Sequence, residues 1–353
     1  MRVNIFKNTE LDSSISMHVY ANNLIQRLIG LRGLEINSIS IRGTRLPFIK
    51  DAISKDLFYP LYASSQKADV NHILDHSYGS LAYLLDPRKT VVTCHDLNPL
   101  EYPPQSTWLG RERFLYNIRG MLRAKYIIAD SESTKKTILK YFDYQGEIKV
   151  IYLGVDHEFA CIEDEEKKKE LKNKYKLHLF KKYLLHVGVS YPYKNVEILL
   201  RNLKFIPNCG LIKVGSFSKL QERLISKLNL SSRIMQFKNI DKSTLIELYN
   251  IADVLVFPSF CEGFGLPVLE AMACGCPVIC SQIPILSEIG ANIPFFINPH
   301  SDFELQKAVL HVLNNGEARG KMIRLGLEQV KKFKWEYTAG EVAKVYQRIV
   351  QGE

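Results

Sequence analysis

The stretch Cys261-Glu262-Gly263-Phe264-Gly265-Leu266-Pro267-Val268-Leu269-Glu270-Ala271-Met272-Ala273-Cys274-Gly275 decides how this chain is read. It follows an apolar run, Val254 to Phe257, that ends at Pro258. The punctuation predicts a strand, a glycine loop and a short helix. Gly263 and Gly265 let the backbone turn sharply and come close to a ligand. Pro267 suits the first helical position, where its missing N–H costs nothing. Gly275 suits the position just past the helix end. The start of such a helix offers free N–H groups and a positive dipole end, which together favour an anion. Glu262 stands at the loop mouth and Glu270 inside the helix. A carboxylate beside a phosphate is repelled, so each acid is read as facing neutral hydroxyls. A phosphate cradle with two acids that grip hydroxyls points to a sugar nucleotide. The plain alternative is an ordinary buried strand-to-helix turn.

Outward from this motif, short apolar runs alternate with amphipathic stretches. Predicted strands are Val3–Phe6, Val91–Cys94, Tyr126–Ala129, Val150–Tyr152, Tyr183–Val187, Leu211–Val214, Val254–Phe257 and Pro277–Cys280. Predicted helices include Met17–Leu28, Thr134–Phe142, Ser243–Asn250 and Phe303–Asn314. Such alternation argues for an α/β fold with parallel sheets covered on both faces. The 353 residues are too many for one typical core of ~100–200 residues. The segment 163–182 is rich in Lys and Glu and reads as a surface stretch between two domains, 1–162 and 178–332. In such sheets ligands bind beyond the carboxyl ends of strands, near a switch in strand order. Glu262, Gly188, Gly215 and His95 each follow a predicted strand, which implies a site in a cleft between the domains.

The composition is that of a soluble globular protein: 46% apolar and 24% charged. The sequence has no run of 18 apolar residues that would cross a membrane, and Met1 to Phe6 read as a strand rather than a signal peptide, so a cytoplasmic location is expected. Seven scattered cysteines fit reduced thiols. Cys261, Cys274, Cys276 and Cys280 contain no Cys-x-x-Cys pair and read as small packing residues rather than a metal site. The net charge is +10 without a dense basic tract. It is weak support for nucleic acid and fits anionic small ligands or an anionic membrane surface equally well. Along 114–122 an apolar helical stripe (Phe114, Leu115, Ile118, Met121, Leu122) runs beside Arg113, Arg119 and Arg123, with Trp108 nearby. It reads as a core-facing helix with a charged outer side; contact with anionic lipid is the alternative.

The motif and its flank, GFGLPVLEAMACGCPVICS, resemble the donor site of glycosyltransferase family 4, whose signature has two glutamates separated by seven residues, as Glu262 and Glu270 are. The segment His186-Val187-Gly188-Val189-Ser190-Tyr191-Pro192-Tyr193-Lys194-Asn195 is similar to the family's G-x-x-x-x-x-K-N element. Many members carry an arginine where this chain has Val189 or Tyr193; Arg201 or another cation is a candidate substitute. Thr93-Cys94-His95-Asp96-Leu97-Asn98-Pro99-Leu100 resembles the family's T-x-H-D-L-x-P-L run. Val150-Ile151-Tyr152-Leu153-Gly154-Val155-Asp156 resembles the family's I-x-N-G-V-D with Leu153 in place of Asn, and Ser131 resembles the family's serine after the Tyr126–Ala129 strand. Near Asp12-Ser13-Ser14-Ile15-Ser16-Met17-His18 the family's glycines are replaced by serines. The resemblance is weakest over 1–80, where acceptor choice would lie.

The resemblance implies a GT-B architecture: two facing Rossmann-like domains, an interdomain cleft and a final helix, within 333–353, that crosses back to the first domain. It implies retaining transfer of a hexose, mannose or glucose carried on GDP or UDP, to a lipid-linked oligosaccharide, a surface polysaccharide or a protein glycan. Glu262, Lys194 and His95 would carry the chemistry, with Lys194 on the diphosphate and His95 on the donor sugar. Gly263, Phe264, Gly265, Leu266, Glu270, Gly188, Gly215, Asn239, Ile240 and Ser14 would line the donor site, with Glu270 on the ribose. Asp96 and Ser131 are acceptor-side candidates, and Ser131 reads equally as a helix cap. No Asp-x-Asp stands beside these motifs, so neither a catalytic metal nor a cofactor is expected. The alternatives are a nucleotide-sugar epimerase or phosphorylase on the same fold, a non-catalytic sugar-nucleotide-binding relative, and a nucleic-acid binder.

Overall fold

The computed structural model of the chain describes residues 1–9, 15–41, 54–102 and 108–352. The chain divides into two compact units: Met1–Gly154 with Phe333–Glu353, and Val155–Lys332.

The first unit is built on a six-stranded sheet. Its strands are β1 (Arg2–Phe6), β2 (Glu35–Ile39), β3 (Val70–Ile73), β4 (Thr90–Cys94), β5 (Tyr126–Ala129) and β6 (Glu147–Val150). Their order is β2-β1-β3-β4-β5-β6, and every pair is parallel. The order reverses between β1 and β3. β4 and β5 are buried along their whole length, which is why they read as near-continuous apolar runs.

β2 and β3 show no such run: β2 is mostly exposed, and β3 carries the buried polar residues Asn71 and His72. Asn37, Asn4 and Asn71 are register partners across β2, β1 and β3. Asn37 Nδ2 donates to Asn4 Oδ1 at 3.0 Å, and Asn4 Nδ2 donates to Asn71 Oδ1 at 3.3 Å. Asn37 is exposed, whereas Asn4 and Asn71 are buried and tolerated because their amides are bonded. A second difference concerns β6, which ends at Val150 rather than spanning 150–152. Ile151 then donates its N–H to the Ala129 carbonyl and leads the chain out.

The Trp335–Gln351 helix packs on this first unit through Trp335, Val342, Val345, Tyr346 and Ile349, all buried. Tyr346 bonds His72 Nδ1 at 2.6 Å, and His72 Nε2 bonds Thr93 at 2.8 Å. Burial, with the His95 charge nearby, holds His72 neutral, its pKa pushed down to about 3. Arg27 pairs with Glu336 at 3.0 Å at the helix start. The predicted stripe on the Trp108–Met121 helix faces inward at Ile118 and Met121, while Arg113, Arg119, Arg123 and Trp108 are exposed.

The second unit holds β7 (Lys182–Val187), β8 (Cys209–Val214), β9 (Ile234–Phe237), β10 (Val254–Phe257), β11 (Val278–Ser281) and β12 (Phe295–Ile297). The order β12-β11-β10-β7-β8-β9 is again parallel throughout. It reverses between β7 and β10. The core gathers Leu184, Leu211, Val254 and Ile279 from the sheet with Val196, Leu199 and Leu203 from one helix and Leu305, Val309 and Val312 from another.

Residues 155–162, read above as the end of the first domain, sort with this second unit. Asn250 takes the Ile162 N–H at 2.7 Å and donates to the Ala160 carbonyl at 3.0 Å. The Lys/Glu-rich segment forms the Glu165–Lys174 helix, capped by Asp164. Among the described residues no helix is long and apolar enough to cross a membrane.

Candidate functional site

In the second unit the motif folds as a strand, a loop and a helix, Leu266–Ala273. Gly265 is the residue before the helix, with φ +91°. The positive φ favours glycine, and a Cβ there would lie 2.6 Å from Leu286 Cδ2, so that side chain would have to shift. Pro267 sits one position later than its best-suited place, in the first turn, and Gly275 follows the helix end at φ +68°. Phe264 is buried and Leu266 opens the helix. Gly263 lies in the half-buried loop.

β7 and β10 are neighbours, and the loops beyond their carboxyl ends are stitched together. Tyr193 accepts the Phe260 N–H at 2.7 Å. Asn195, in the left-handed region at φ +52°, donates to the Pro258 and Pro299 carbonyls at 3.0 and 2.8 Å. This places Lys194, the end of a short 3-10 turn, against Glu262. Lys194 Nζ reaches both carboxylate oxygens at 2.8 Å. Both side chains are mostly buried, at 13% and 7% exposed. The sequence reading assigned the two residues to different parts of a ligand; the structure joins them as an ion pair, 68 residues apart in sequence.

Gly188 and Gly215 follow β7 and β8. Gly215 has φ +103°, and a Cβ there would lie 2.4 Å from the Gly188 carbonyl oxygen. The close approach of these two turns is therefore available only to glycine. Glu270 accepts a hydrogen bond from the Tyr249 hydroxyl at 2.8 Å. The residue is half-buried, but its carboxyl is enclosed, and burial pushes its pKa up to about 7 with Asp156 adding to the rise. Asn239 is exposed with φ +51°, and Ile240 is half-buried beside it. Asp241, next in line, caps the Lys242–Ile251 helix.

Sequence reading missed Lys213 and His186 on this same edge. Lys213 is fully buried in β8, and His186 is its register partner on β7. A lysine between two apolar residues of a predicted strand was the one available signal.

The first unit gathers its own cluster at the carboxyl edge of its sheet. His95, beyond β4, is buried at 4% exposed. Its Nδ1 bonds Asp130 at 2.6 Å, and its Nε2 bonds the Leu74 carbonyl at 2.8 Å. A carbonyl only accepts, so Nε2 carries a proton, and the carboxylate holds another on Nδ1. Burial works against the charged ring, but Asp130, Asp75 and the Leu74 carbonyl outweigh it and lift its pKa to about 9. Both nitrogens are spent inside the protein, so the expected hydrogen bond from His95 to a sugar hydroxyl is not open in this arrangement.

Asp75 joins the cluster. It accepts from the Asn8 amide at 2.8 Å and the Ser77 N–H at 2.7 Å. Burial opposes its charge, yet His76, His95 and these donors bring its pKa down to about 2. Asp96 accepts the Asn98 N–H at 3.0 Å. Ser131 is fully buried and caps the Glu132–Tyr141 helix, taking the Thr134 N–H at 2.9 Å. Its hydroxyl is engaged in that cap and with the Thr134 hydroxyl at 3.0 Å. Ser14 lies outside the described residues. Among the described residues no group of three metal-ligating side chains converges.

Both halves of the chain match known protein families. Residues 32–159 match the family described as Glycosyltransferase Family 4, and residues 164–329 match Glycosyl transferases group 1. The chain is 31% identical over 230 residues to the O-antigen chain mannosyltransferase RfbU of Salmonella typhimurium, covering 64% of this chain and 61% of that protein. It therefore spans under two thirds of that relative's length. It is also 31% identical over 264 residues to the uncharacterized glycosyltransferase MJ1178 of Methanocaldococcus jannaschii, covering 71% of this chain and 70% of that one.

Among solved structures, sucrose-phosphate synthase from Thermosynechococcus elongatus superposes with a TM-score of 0.84 at 19% identity over the full length of both chains. Anabaena HepE in complex with UDP and glucose gives 0.77 at 16% identity, covering 98% and 99%. The two parallel sheets, the strand-end glycine turns and the Glu262–Glu270 spacing thus occur in a chain that belongs to the GT-B glycosyltransferases of family 4.

Proposed function

We propose that this chain is a retaining hexosyltransferase. It moves mannose, or failing that glucose, from a nucleoside-diphosphate sugar to a hydroxyl of a glycan or lipid-linked oligosaccharide. The observation that carries this reading is the Lys194–Glu262 pair, bonded through both oxygens at the β7/β10 reversal beside the Gly265 turn. Mannose leads because RfbU is named a mannosyltransferase of the O-antigen chain.

The chemistry follows from what each group can do. A diphosphate arriving at the glycine turns competes with Glu262 for the Lys194 ammonium. Glu262, once shared, accepts hydrogen bonds from hexose hydroxyls. The bond from C1 to the β-phosphate oxygen breaks, and the acceptor oxygen bonds to C1 on the same face. The acceptor proton passes to the departing phosphate oxygen. That oxygen gains negative charge as the bond breaks, and a fixed cation at Lys194 favours this stage most. Glu270, one of whose oxygens accepts from the Tyr249 hydroxyl, is placed for a ribose hydroxyl. Lys194 supplies the positive charge here, so transfer should survive EDTA.

The direct test is product analysis with GDP-mannose and UDP-glucose, with and without a lipid-linked glycan. Sugar transfer with retained anomeric configuration supports the reading. Epimerised donor without acceptor supports the epimerase alternative, and binding without turnover the non-catalytic one. Location at the cytoplasmic membrane face belongs to the same proposal. Exposed Trp108 and Leu109 beside exposed Arg111, Arg113 and Arg119 support it, and absence of binding to anionic liposomes at low salt would remove it.

A further inference from the structure

Beneath the Gly188 turn sits a lysine that the transfer chemistry above does not use. Lys213 Nζ donates to the Gly188 carbonyl at 2.5 Å and to the Val214 carbonyl at 2.8 Å. An ammonium has three donors, and no third acceptor is recorded for it among the described residues. No carboxylate there lies within ion-pair distance of it; Glu262, the acid of this corner, is taken by Lys194. The groups that bear on Lys213 are all cationic, neutral or aromatic. His186 stands beside it on β7, with both ring nitrogens buried and without a hydrogen-bond partner. Lys194 adds its charge from the 3-10 turn, and the Phe217 ring lies 5.7 Å from Nζ. Gln236, from β9, reaches only the Gly215 carbonyl.

A buried ammonium held by carbonyls alone is costly. Burial, and then Lys194, bring the Lys213 pKa down to about 7. The same factors keep His186 neutral, its pKa well below the usual range. An anion resting on the Gly188 turn would relieve that cost.

We propose that Lys213 is a second cation of the phosphate site, a positioning residue that grips the Gly188 turn from below and is fully charged only when a pyrophosphate lies on that turn. The proposal rests on the nucleotide-sugar reading given above. Its consequence is linkage: binding a pyrophosphate near neutral pH draws a proton from solvent onto Lys213 Nζ. Glu270, which also titrates near pH 7, would release a proton if it became ionised on binding, so the two have opposite signs.

Titration calorimetry tests this with GDP-mannose and UDP-glucose, whose phosphates do not titrate between pH 6 and 8.5. Runs in two buffers of different ionisation enthalpy give the protons exchanged. Wild-type protein should take up a fraction of a proton at pH 7.5 and bind more weakly as pH rises. Lys213→Met should bind about tenfold more weakly and lose the uptake, with uncharged guanosine or uridine bound as before. Lys213→Gln, which keeps a donor to the Gly188 carbonyl, should recover the turn but not the uptake. Uptake that persists in Lys213→Met assigns the proton to His186 and overturns the proposal. If neither variant folds, absence of uptake in the wild-type protein overturns it. No binding of either nucleotide sugar by wild-type protein defeats the parent reading instead.

Discussion

The carboxyl edges of the two sheets hold similar residue types and use them in opposite ways. In the first unit, His95, Asp130, Asp75, His76 and Asn8 bond chiefly to one another and to backbone. Its cation, the His95 ring, has two acids near it. In the second unit, Lys194 and Lys213 outnumber the single acid that meets them, and the turns beside them are glycines with positive φ. Apart from Asp130 Oδ1, which is buried without a hydrogen-bond partner, these groups bond within the protein, and such a network holds backbone in place. An edge with surplus positive charge and open donors is prepared to trade an internal partner for an external anion. On the function proposed above, the first edge serves as scaffold and the second as the binding edge.

The largest effect should come from the pair on the binding edge. Glu262→Ala should lower the transfer rate at least about 100-fold, with far-UV circular dichroism unchanged. Glu262→Gln keeps the shape and a hydrogen bond to Lys194 but not the charge, and should recover part of the binding and little of the rate. Full activity in both variants would erase the distinction between the edges.

On the scaffold edge the same class of change should act on stability. His95→Gln leaves the Asp130 carboxylate buried without its cation, a loss of about 3 kcal/mol and roughly 6–12 °C in Tm. The pH dependence follows from the direction of the shift. The folded-state pKa of His95, about 9, lies above the unfolded value near 6.5. Its stabilisation is complete below about pH 6.5 and is lost as pH climbs through 9. Lys213, depressed to about 7, works in the other direction in the second unit, since its strain eases as pH rises. The comparison is therefore wild type against His95→Gln from pH 6 to 9.5: the difference between their melting temperatures should shrink steadily. A constant difference would mean the ring is neutral and the cluster is not an ion pair.

These two edges were unequally legible in the sequence. The motif at 261–275 was readable because its signals are local: an apolar run, two glycines, a proline and a closing glycine, all between Val254 and Gly275. The buried Asn71 hid β3, because a buried amide is acceptable only when its partner on the next strand, here Asn4, is known; β2 was hidden by being mostly exposed. The same holds at longer range. Nothing in the sequence pairs Lys194 with Glu262, or directs both nitrogens of His95 inward, since each contact joins segments separated by 21 to 68 residues. Lys213 was passed over as one charge inside an apolar strand. The resemblance supplied the family and the candidate residues; their charge balance depends on contacts between segments distant in sequence.

Gly215→Ala asks how much the binding edge depends on backbone shape alone. It forces φ +103° on a residue with a Cβ and drives that atom to 2.4 Å from the Gly188 carbonyl. Strain of about 1–3 kcal/mol is expected, with weaker binding of nucleoside diphosphates and a lower melting temperature for the second unit. If melting falls but affinity per folded molecule holds, the turn is structural and the anion sits elsewhere on this edge.

The smallest effect separates cap from contact on the scaffold edge. Ser131 is fully buried, and its hydroxyl both accepts from the Thr134 N–H at 2.9 Å and donates to the Thr134 hydroxyl at 3.0 Å. A hydroxyl so engaged has little left for a ligand. Ser131→Ala should cost about 1 kcal/mol, a drop of roughly 2–4 °C, with kcat and KM for the acceptor unchanged. Ser131→Asp restores a good cap at a helix start where negative charge is favourable, though at a buried position, so it should recover less than a surface cap would. A variant that melts like wild type but has a raised acceptor KM would place the hydroxyl at the acceptor, and the first unit's edge would then be a binding surface as well.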